Sequence, residues 1–194
     1  TLLRVVPEVP EIDALTPPEE LTREADAYLR SLQSGMEVNR VVKVGQVAEA
    51  IQQASECASL IAMSTHGRSG LSRLVYGSVT ENVVRNSRKP VMVVRSAGAR
   101  EPREIRKILV PVDGSSPSLA VLSLVKTAAK LLGASVVLLH VRDEPSWNQN
   151  ELARVAGELD IPATTIERSG DPASEILSLP HIDLIAMSTH GRSG

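Results

Sequence analysis

An eleven-residue segment, LIAMSTHGRSG, occurs twice in the chain without a change, at residues 60–70 and again at residues 184–194. The separation between the two copies is that of whole domains and is several times longer than the repeat of a solenoid protein. The repetition therefore predicts two related domains in tandem, and each half of the chain can be interpreted by superposing it on the other.

The superposition extends beyond the identical segment. Residues 41–51 align with residues 166–176, and residues 2–5 align with residues 138–141, so each half repeats the order strand, helix, strand, helix, strand. The second half alone opens with a further strand and helix, and the first half alone continues past its repeat. We expect two incomplete copies in a chain truncated at both ends: residues 1–98 form the C-terminal part of a first domain, 99–106 a linker, and 107–194 the N-terminal part of a second.

The hydrophobic pattern predicts an α/β fold. Short runs rich in Val, Ile and Leu are typical of parallel strands covered on both faces; they occupy residues 60–63, 90–94, 107–112, 135–141 and 183–187. Amphipathic helix patterns lie between them, and one of these ends at Gly133, which suits a left-handed helix cap. Alternating strands and helices predict a doubly wound open parallel sheet of the Rossmann type, with ligands beyond the carboxyl ends of its strands.

Composition excludes several classes of function. The formal net charge is −2 and aromatic residues make up 2% of the chain, which argues against nucleic-acid partners. No apolar run approaches the roughly 18 residues that span a bilayer. Cys57 is the only cysteine, which fits a reducing compartment, so we expect a cytoplasmic protein with no membrane partner. No His, Cys or carboxylate cluster has metal-ligand spacing, and no metal site or catalytic residue is assigned.

Asp113 follows one of the predicted strands and precedes a turn and a helix. A carboxylate at the end of a strand can accept hydrogen bonds from ribose hydroxyls or from a base edge. It can also accept backbone amides within its own turn, while Ser116 caps the helix that follows. From the residues alone, both interpretations stay open.

A second candidate element lies in the first half. Gly77 and Ser78 open a helical segment, for which Ser78 and Glu81 have the spacing of a capping box. The first amides of a helix are unsatisfied and carry a partial positive charge, so they can hold phosphate oxygens together with the glycine loop at Gly67.

These residues carry a family resemblance. Gly67, nine residues and then Gly77 and Ser78 match the G-x-x-G-x9-G-[ST] motif of the universal stress protein family. SVTENVVRNSRKPVMVVR, residues 78–95, resembles the end of that domain, and VPVDGSSPS, residues 110–118, is similar to its first strand and adenine-side acid. The first glycine of the motif is replaced here by Ser64.

The resemblance implies a Rossmann-like fold of the adenine nucleotide α-hydrolase type, present as two tandem incomplete copies. It implies that Asp113 and Val141 face adenosine, that Gly67, Gly77 and Ser78 hold phosphates, and that Gly191 is the second-copy counterpart of Gly67. The remaining residues of the implied nucleotide site are Ser64, Arg68, Val79 and Met187. Members of the family form homodimers or intramolecular tandem pseudo-dimers, and some bind ATP.

The expected function is that of a stress-response module that binds ATP, with or without Mg²⁺, or another adenine nucleotide, with hydrolysis slow or absent. The alternative is a scaffold that binds no nucleotide and acts through protein contacts. Because neither half carries both sides of the implied pocket, we also consider that the strand beginning at Lys107 docks into the first domain and completes its site.

Overall fold

The computed structural model describes residues 1–7, 17–32, 35, 37–64, 77–94, 104–142 and 149–189. The chain divides into two compact units, Thr1–Arg100 and Glu101–Gly194, and the division falls within the predicted linker. We call these unit 1 and unit 2 and describe each by itself.

The described part of unit 1 contains four strands and three helices. In chain order they are β1 (Leu2–Val6), α1 (Pro18–Ser31), β2 (Arg40–Val44), α2 (Val47–Ala54), β3 (Ile61–Ser64), α3 (Ser78–Asn86) and β4 (Val91–Val94). Strand β1 pairs in parallel with β2, and β3 pairs in parallel with β4. Among the described residues, these pairs form two separate two-stranded sheets. Helix α2 contacts β1, β2 and α3, and α3 contacts β4.

The described residues of unit 2 form one parallel sheet with the strand order β7-β6-β5-β8. Its elements are β5 (Lys107–Pro111), α4 (Ser116–Ala120), α5 (Leu122–Leu132), β6 (Ser135–Arg142), α6 (Gln149–Glu158), β7 (Ala163–Ser169), α7 (Pro172–Ser178) and β8 (Leu184–Ile185). Helix α5 ends at Gly133 in the left-handed conformation, with φ of 64°, so the predicted cap is confirmed.

Apolar side chains cover both faces of the unit 2 sheet. Successive residues of a strand point to opposite faces, so Ile108 and Val110 belong to one buried cluster while Leu109 belongs to another. The first cluster includes Val125 of α5 and Leu152 of α6, and the second is covered by residues of α7 and the segment that follows it. The predicted doubly wound α/β arrangement is confirmed.

The duplication seen in the sequence is present in the element order. The succession β1, α1, β2, α2, β3 in unit 1 is repeated as β6, α6, β7, α7, β8 in unit 2. Gly45 and Gly170 occupy equivalent places, just before α2 and α7, with φ of 141° and 140°. Residues that carry a side chain rarely adopt such φ values, so the same glycine-dependent turn leads from strand to helix in both units.

The hypothesis that the strand at Lys107 docks into the first domain is wrong. Strand β5 lies between β6 and β8 of its own unit. One carboxylate oxygen of Asp183 accepts the backbone N–H groups of Arg106 and Lys107, at 3.0 and 2.9 Å. The Asp183 N–H in turn donates to the Lys107 carbonyl at 3.1 Å. These bonds fix the start of β5 beside β8, and the burial of its central residues holds the rest of the strand.

Candidate functional site

The carboxyl edge of the unit 2 sheet brings three predicted residues to neighbouring strand ends. The register aligns Pro111 of β5 with Leu139 of β6, and Asp113 and Val141 each lie two residues beyond that pair. On the other side of β5, Leu109 aligns with Ile185, and Met187 lies two residues further on. Asp113 and Val141 are half-buried, whereas Met187 is 58% exposed.

The turn after β5 is stabilised by its own side chains. Oδ1 of Asp113 accepts the Ser115 N–H at 2.8 Å. The Ser118 hydroxyl donates to the Ser115 carbonyl at 3.0 Å and accepts the Asp113 N–H at 3.3 Å. The interpretation that Asp113 accepts a backbone amide in its turn is therefore confirmed, and the carboxylate is held at the edge of the sheet by that bond.

Helix α4 is capped one residue earlier than predicted. Its N-cap is Ser115, whose hydroxyl accepts the Ser118 N–H at 3.3 Å, and Ser116 is the first helical residue. The prediction that Ser116 caps this helix is wrong because the Asp113 turn closes onto Ser115 and places that residue at the extended position before the helix.

His140 is a buried polar residue that sequence reasoning did not select. It is 2% exposed, and its Nδ1–H donates to the Val112 carbonyl at 2.9 Å; a carbonyl can only accept, so Nδ1 carries the hydrogen. The bond links the ends of β6 and β5 at the residue before Asp113. The sequence signal that could have identified this residue is a single imidazole in a mostly apolar strand, SVVLLHV.

In unit 1, the start of α3 lies at the end of β3. Thr80, in the first turn of the helix, donates through Oγ1 to the carbonyl of Ser64 over 3.4 Å. Gly77 is the N-cap and has no side-chain cap, Ser78 and Val79 are the first two helical residues, and Gly77 and Ser78 are exposed. An exposed helix start without a side-chain cap has N–H groups that can bind an anion.

The capping box predicted for this helix is wrong. Ser78 lies inside the helix instead of before it. The carboxylate of Glu81 points along the helix to Arg85, whose Nη2 lies 3.1 Å away, because residues four apart share one face.

Three predicted site residues, Gly67, Arg68 and Gly191, lie outside the described residues. Within the described ranges, no group of three or more His, Cys, Asp or Glu side chains is arranged to hold a metal ion. In the same ranges we find no helix that has the length and the apolar character required of a membrane span.

The chain matches a known family over most of its length. The model of the Universal stress protein family matches residues 1–95 and 104–160. The crystal structure of a universal stress protein from Archaeoglobus fulgidus is similar with a TM-score of 0.70 and 24% identity, covering 90% of this chain and 68% of that one.

Curated relatives carry the same family name. A universal stress protein of Methanocaldococcus jannaschii is 35% identical over 83 residues, which are 39% of this chain and 51% of the relative. One from Mycolicibacterium smegmatis is 24% identical over 180 residues, which are 82% of this chain and 61% of the relative. The chain thus spans between half and two thirds of the length of these relatives. Because the family model matches well over half of its residues, the duplicated α/β chain belongs to the universal stress protein family.

Proposed function

We propose that this protein binds ATP or another adenine nucleotide as a regulatory stress-response module, with hydrolysis slow or absent. The observation that carries the proposal is the contact between Thr80 and Ser64. It joins an exposed helix start to the end of a parallel strand, which is where open α/β sheets bind ligands. The amides and the partial positive charge at that helix start suit the phosphates of a nucleotide.

For unit 2, the residues described belong to the adenosine side of that unit's own site. Asp113 offers carboxylate oxygens for ribose hydroxyls or a base edge, while Val141 and Met187 offer apolar surface for a base at the same edge of the sheet. The turn bond from Ser115 N–H to Asp113 holds the carboxylate without any ligand, so binding would not have to order it.

Hydrolysis would need a general base beside the phosphates, and the site residues described at the start of α3 are Gly77, Ser78 and Val79, none of which is such a base. Mg²⁺ would accompany the phosphates of a bound triphosphate. We further propose a cytoplasmic location and assembly as a homodimer or as an intramolecular tandem pseudo-dimer.

Thermal unfolding of the chain with and without MgATP tests the proposal. Ligand at about a hundred times its dissociation constant should stabilise the native state by roughly 2.7 kcal/mol. Gly77→Val should abolish the part of the shift that arises from unit 1, because a branched side chain at the N-cap blocks the approach of phosphate to the first amides of α3. Gln46→Val changes the N-cap of α2 in the same unit, also without a side-chain cap, and should leave the shift intact.

The adenosine side needs its own readout. Asp113→Ala removes both the charge and the turn bond, whereas Asp113→Asn retains an acceptor for Ser115 N–H. Both variants should weaken nucleotide binding by unit 2, and amide resonances from residues 112–118 should shift when MgATP is added to the unmodified chain. No thermal shift at millimolar MgATP would overturn the proposal and favour the scaffold that acts through protein contacts.

A further inference from the structure

We propose that the peptide bond between Asp113 and Gly114 is a site of spontaneous covalent modification, at which the aspartate isomerises to isoaspartate. The site lies in the turn that follows β5, at a residue to which the proposed function assigns contact with adenosine. The chemistry of the site does not depend on that function, whereas the effect of the modification on nucleotide binding rests on it.

The reaction needs only the groups of the turn and water. The backbone nitrogen of Gly114 attacks Cγ of the protonated Asp113 carboxyl group, and the carboxyl hydroxyl leaves as water together with the proton of the attacking N–H. The product is a five-membered succinimide ring. Addition of water to one carbonyl of the ring restores aspartate. Addition to the other carbonyl gives isoaspartate, in which the main chain runs through Cβ and Cγ and the mass of the chain is unchanged.

The sequence favours this peptide bond over those that follow the other aspartates. Asp113 is the only aspartate of the chain that precedes a glycine, and a glycine has no side chain to obstruct the approach of its nitrogen to Cγ. Asp160 precedes the branched Ile161, and Asp171 precedes a proline, which has no N–H to give up.

The turn holds the two reacting groups next to each other. The hydrogen bond from the Ser115 N–H to Oδ1 of Asp113, at 2.8 Å, closes a ring of atoms that includes Gly114. Gly114 has a φ of 81°, in the left-handed region that suits a residue without Cβ. The carboxyl group is therefore folded back over the peptide unit whose nitrogen attacks it.

Hydrogen bonding leaves the attacking nitrogen available. Among the residues that the structure describes, the Gly114 N–H has no hydrogen-bond acceptor. The N–H groups on either side of it are both engaged, that of Asp113 with the Ser118 hydroxyl and that of Ser115 with the Asp113 carboxylate. Asp113, Gly114 and Ser115 are only half-buried, so water reaches the turn for the second step.

Asn86 and Ser87 provide a contrasting case in unit 1. An asparagine that precedes a small residue is open to the same ring closure, with ammonia as the leaving group. Here, however, the Ser87 N–H donates to the Val83 carbonyl at 2.9 Å, and Nδ2 of Asn86 donates to the Asn82 carbonyl at 3.0 Å. Both reacting groups are thus held in the last turn of α3, and we expect no reaction there.

Isomerisation changes the edge of the unit 2 sheet. Isoaspartate adds one methylene group to the main chain between β5 and α4, so the ring closed by the Ser115 N–H no longer forms and the N-cap shifts. The free carboxylate of isoaspartate is attached to Cα instead of Cβ. A chain modified in this way no longer presents the carboxylate of Asp113 beside Val141, and unit 2 loses its proposed adenosine-side acceptor.

Peptide mapping of the complete chain tests the inference. The chain is kept at physiological temperature and neutral pH without nucleotide, and samples taken over weeks are digested with trypsin and separated by liquid chromatography with mass spectrometry. We expect the tryptic peptide of residues 108–126 to divide into two forms of equal mass, one of which gives isoaspartate fragments on electron-transfer dissociation. The rate should lie within about tenfold of that in a free synthetic peptide, VPVDGSSPS, because exposed turns open readily.

Three variants make the test specific. Asp113→Glu keeps the charge but lengthens the side chain, so the five-membered ring cannot form and no isomer should appear. Gly114→Ala adds a Cβ and should slow the reaction by at least about fivefold. Ser115→Ala keeps the N–H that holds the carboxyl group and loses only the capping hydroxyl, so it should react as the unmodified chain does.

The inference is overturned if no isoaspartate forms at position 113 while the free peptide is largely converted, or if Gly114→Ala reacts as fast as the unmodified chain. Equal conversion at Asp160 or deamidation at Asn86 would also overturn it. Titration of the separated isoaspartate form with MgATP tests the proposed function by itself. Weaker binding supports the contact of Asp113 with adenosine, and unchanged binding contradicts that contact while the isomerisation stands.

Discussion

The Nδ1–H of His140 donates to the carbonyl of Val112 at 2.9 Å. The bond crosses from β6 to Val112, the buried residue that follows β5, and Asp113 comes next. The position of the proposed adenosine-side carboxylate therefore depends on a buried imidazole from the neighbouring strand as well as on its own turn.

Replacing this imidazole should loosen the edge of the sheet. His140→Leu leaves the Val112 carbonyl without its donor in a buried place, and the free energy of unfolding should fall by about 1–3 kcal/mol. Urea denaturation measures this loss, and the amide resonances of residues 113–118 should shift. Arg142→Leu, at the exposed end of the same strand, should stay within about 0.5 kcal/mol. A His140→Leu variant as stable as the unmodified chain would contradict the assignment.

The start of β5 offers a second test. Asp183→Ala removes the acceptor of the Arg106 and Lys107 N–H groups, and we expect a loss of about 1–2 kcal/mol in unfolding free energy. Glu104→Ala removes only the exposed ion pair with Arg106 and should change stability by less than about 0.5 kcal/mol. Equal effects from the two substitutions would show that the bonds from Asp183 add nothing beyond surface charge.

Two glycines should respond in opposite ways to the same change. A Cβ at Gly157, within α6, would meet nothing within 4 Å, so Gly157→Ala should stabilise the chain by about 0.5 kcal/mol through better helix propensity. Gly133 has equal room but a φ of 64°, and Gly133→Ala should cost about 1 kcal/mol. Chemical denaturation compares them, and a stabilising Gly133→Ala would refute the left-handed cap.

Asp171, the N-cap of α7, should make the stability of the folded chain depend on pH. Hydrogen bonds from the hydroxyl and the N–H of Ser174 lower the pKa of Asp171. A lowered pKa in the folded state contributes stability that is present above the unfolded value, about 3.9 for aspartate, and is lost as the pH falls through the folded value. Asp171→Asn keeps an acceptor for Ser174 and should remove this part of the acid dependence.

Two-dimensional NMR titration of the Asp171 carboxyl group measures the pKa directly. Acid unfolding of Asp171→Asn, compared with the unmodified chain, measures the linked stability below about pH 4. If the Asp171 pKa lies at or above the ordinary value for an aspartate, the bonds from Ser174 do not stabilise the charged form.

Sequence patterns predicted the architecture well because they depend on many residues at once. The repeat, the apolar strand runs and Gly133 together indicate a duplicated α/β fold with a capped helix, and the element order bears this out. Single-residue caps were predicted less well. Ser115, not Ser116, caps α4, and Glu81 pairs with Arg85 instead of closing a box with Ser78, since local side-chain bonds decide such details.

Contacts between residues distant in sequence were not accessible to pattern reasoning. Asp183 and Lys107 are brought together only by the pairing of β8 with β5, and no local spacing announces their bond. Pattern reasoning reaches the same limit at the proposed site. Register and strand ends place Asp113, Val141 and Met187 at one edge of the unit 2 sheet, but their roles toward a nucleotide stay predictions until binding is measured.

The matching conformations of Gly45 and Gly170 have a practical consequence for engineering. Both glycines follow a strand and have nearly the same φ, 141° and 140°, although the helices that come after them carry different side chains. We therefore expect a chimaera that exchanges α2 for α7, with this glycine as the junction, to keep the same glycine conformation between strand and helix.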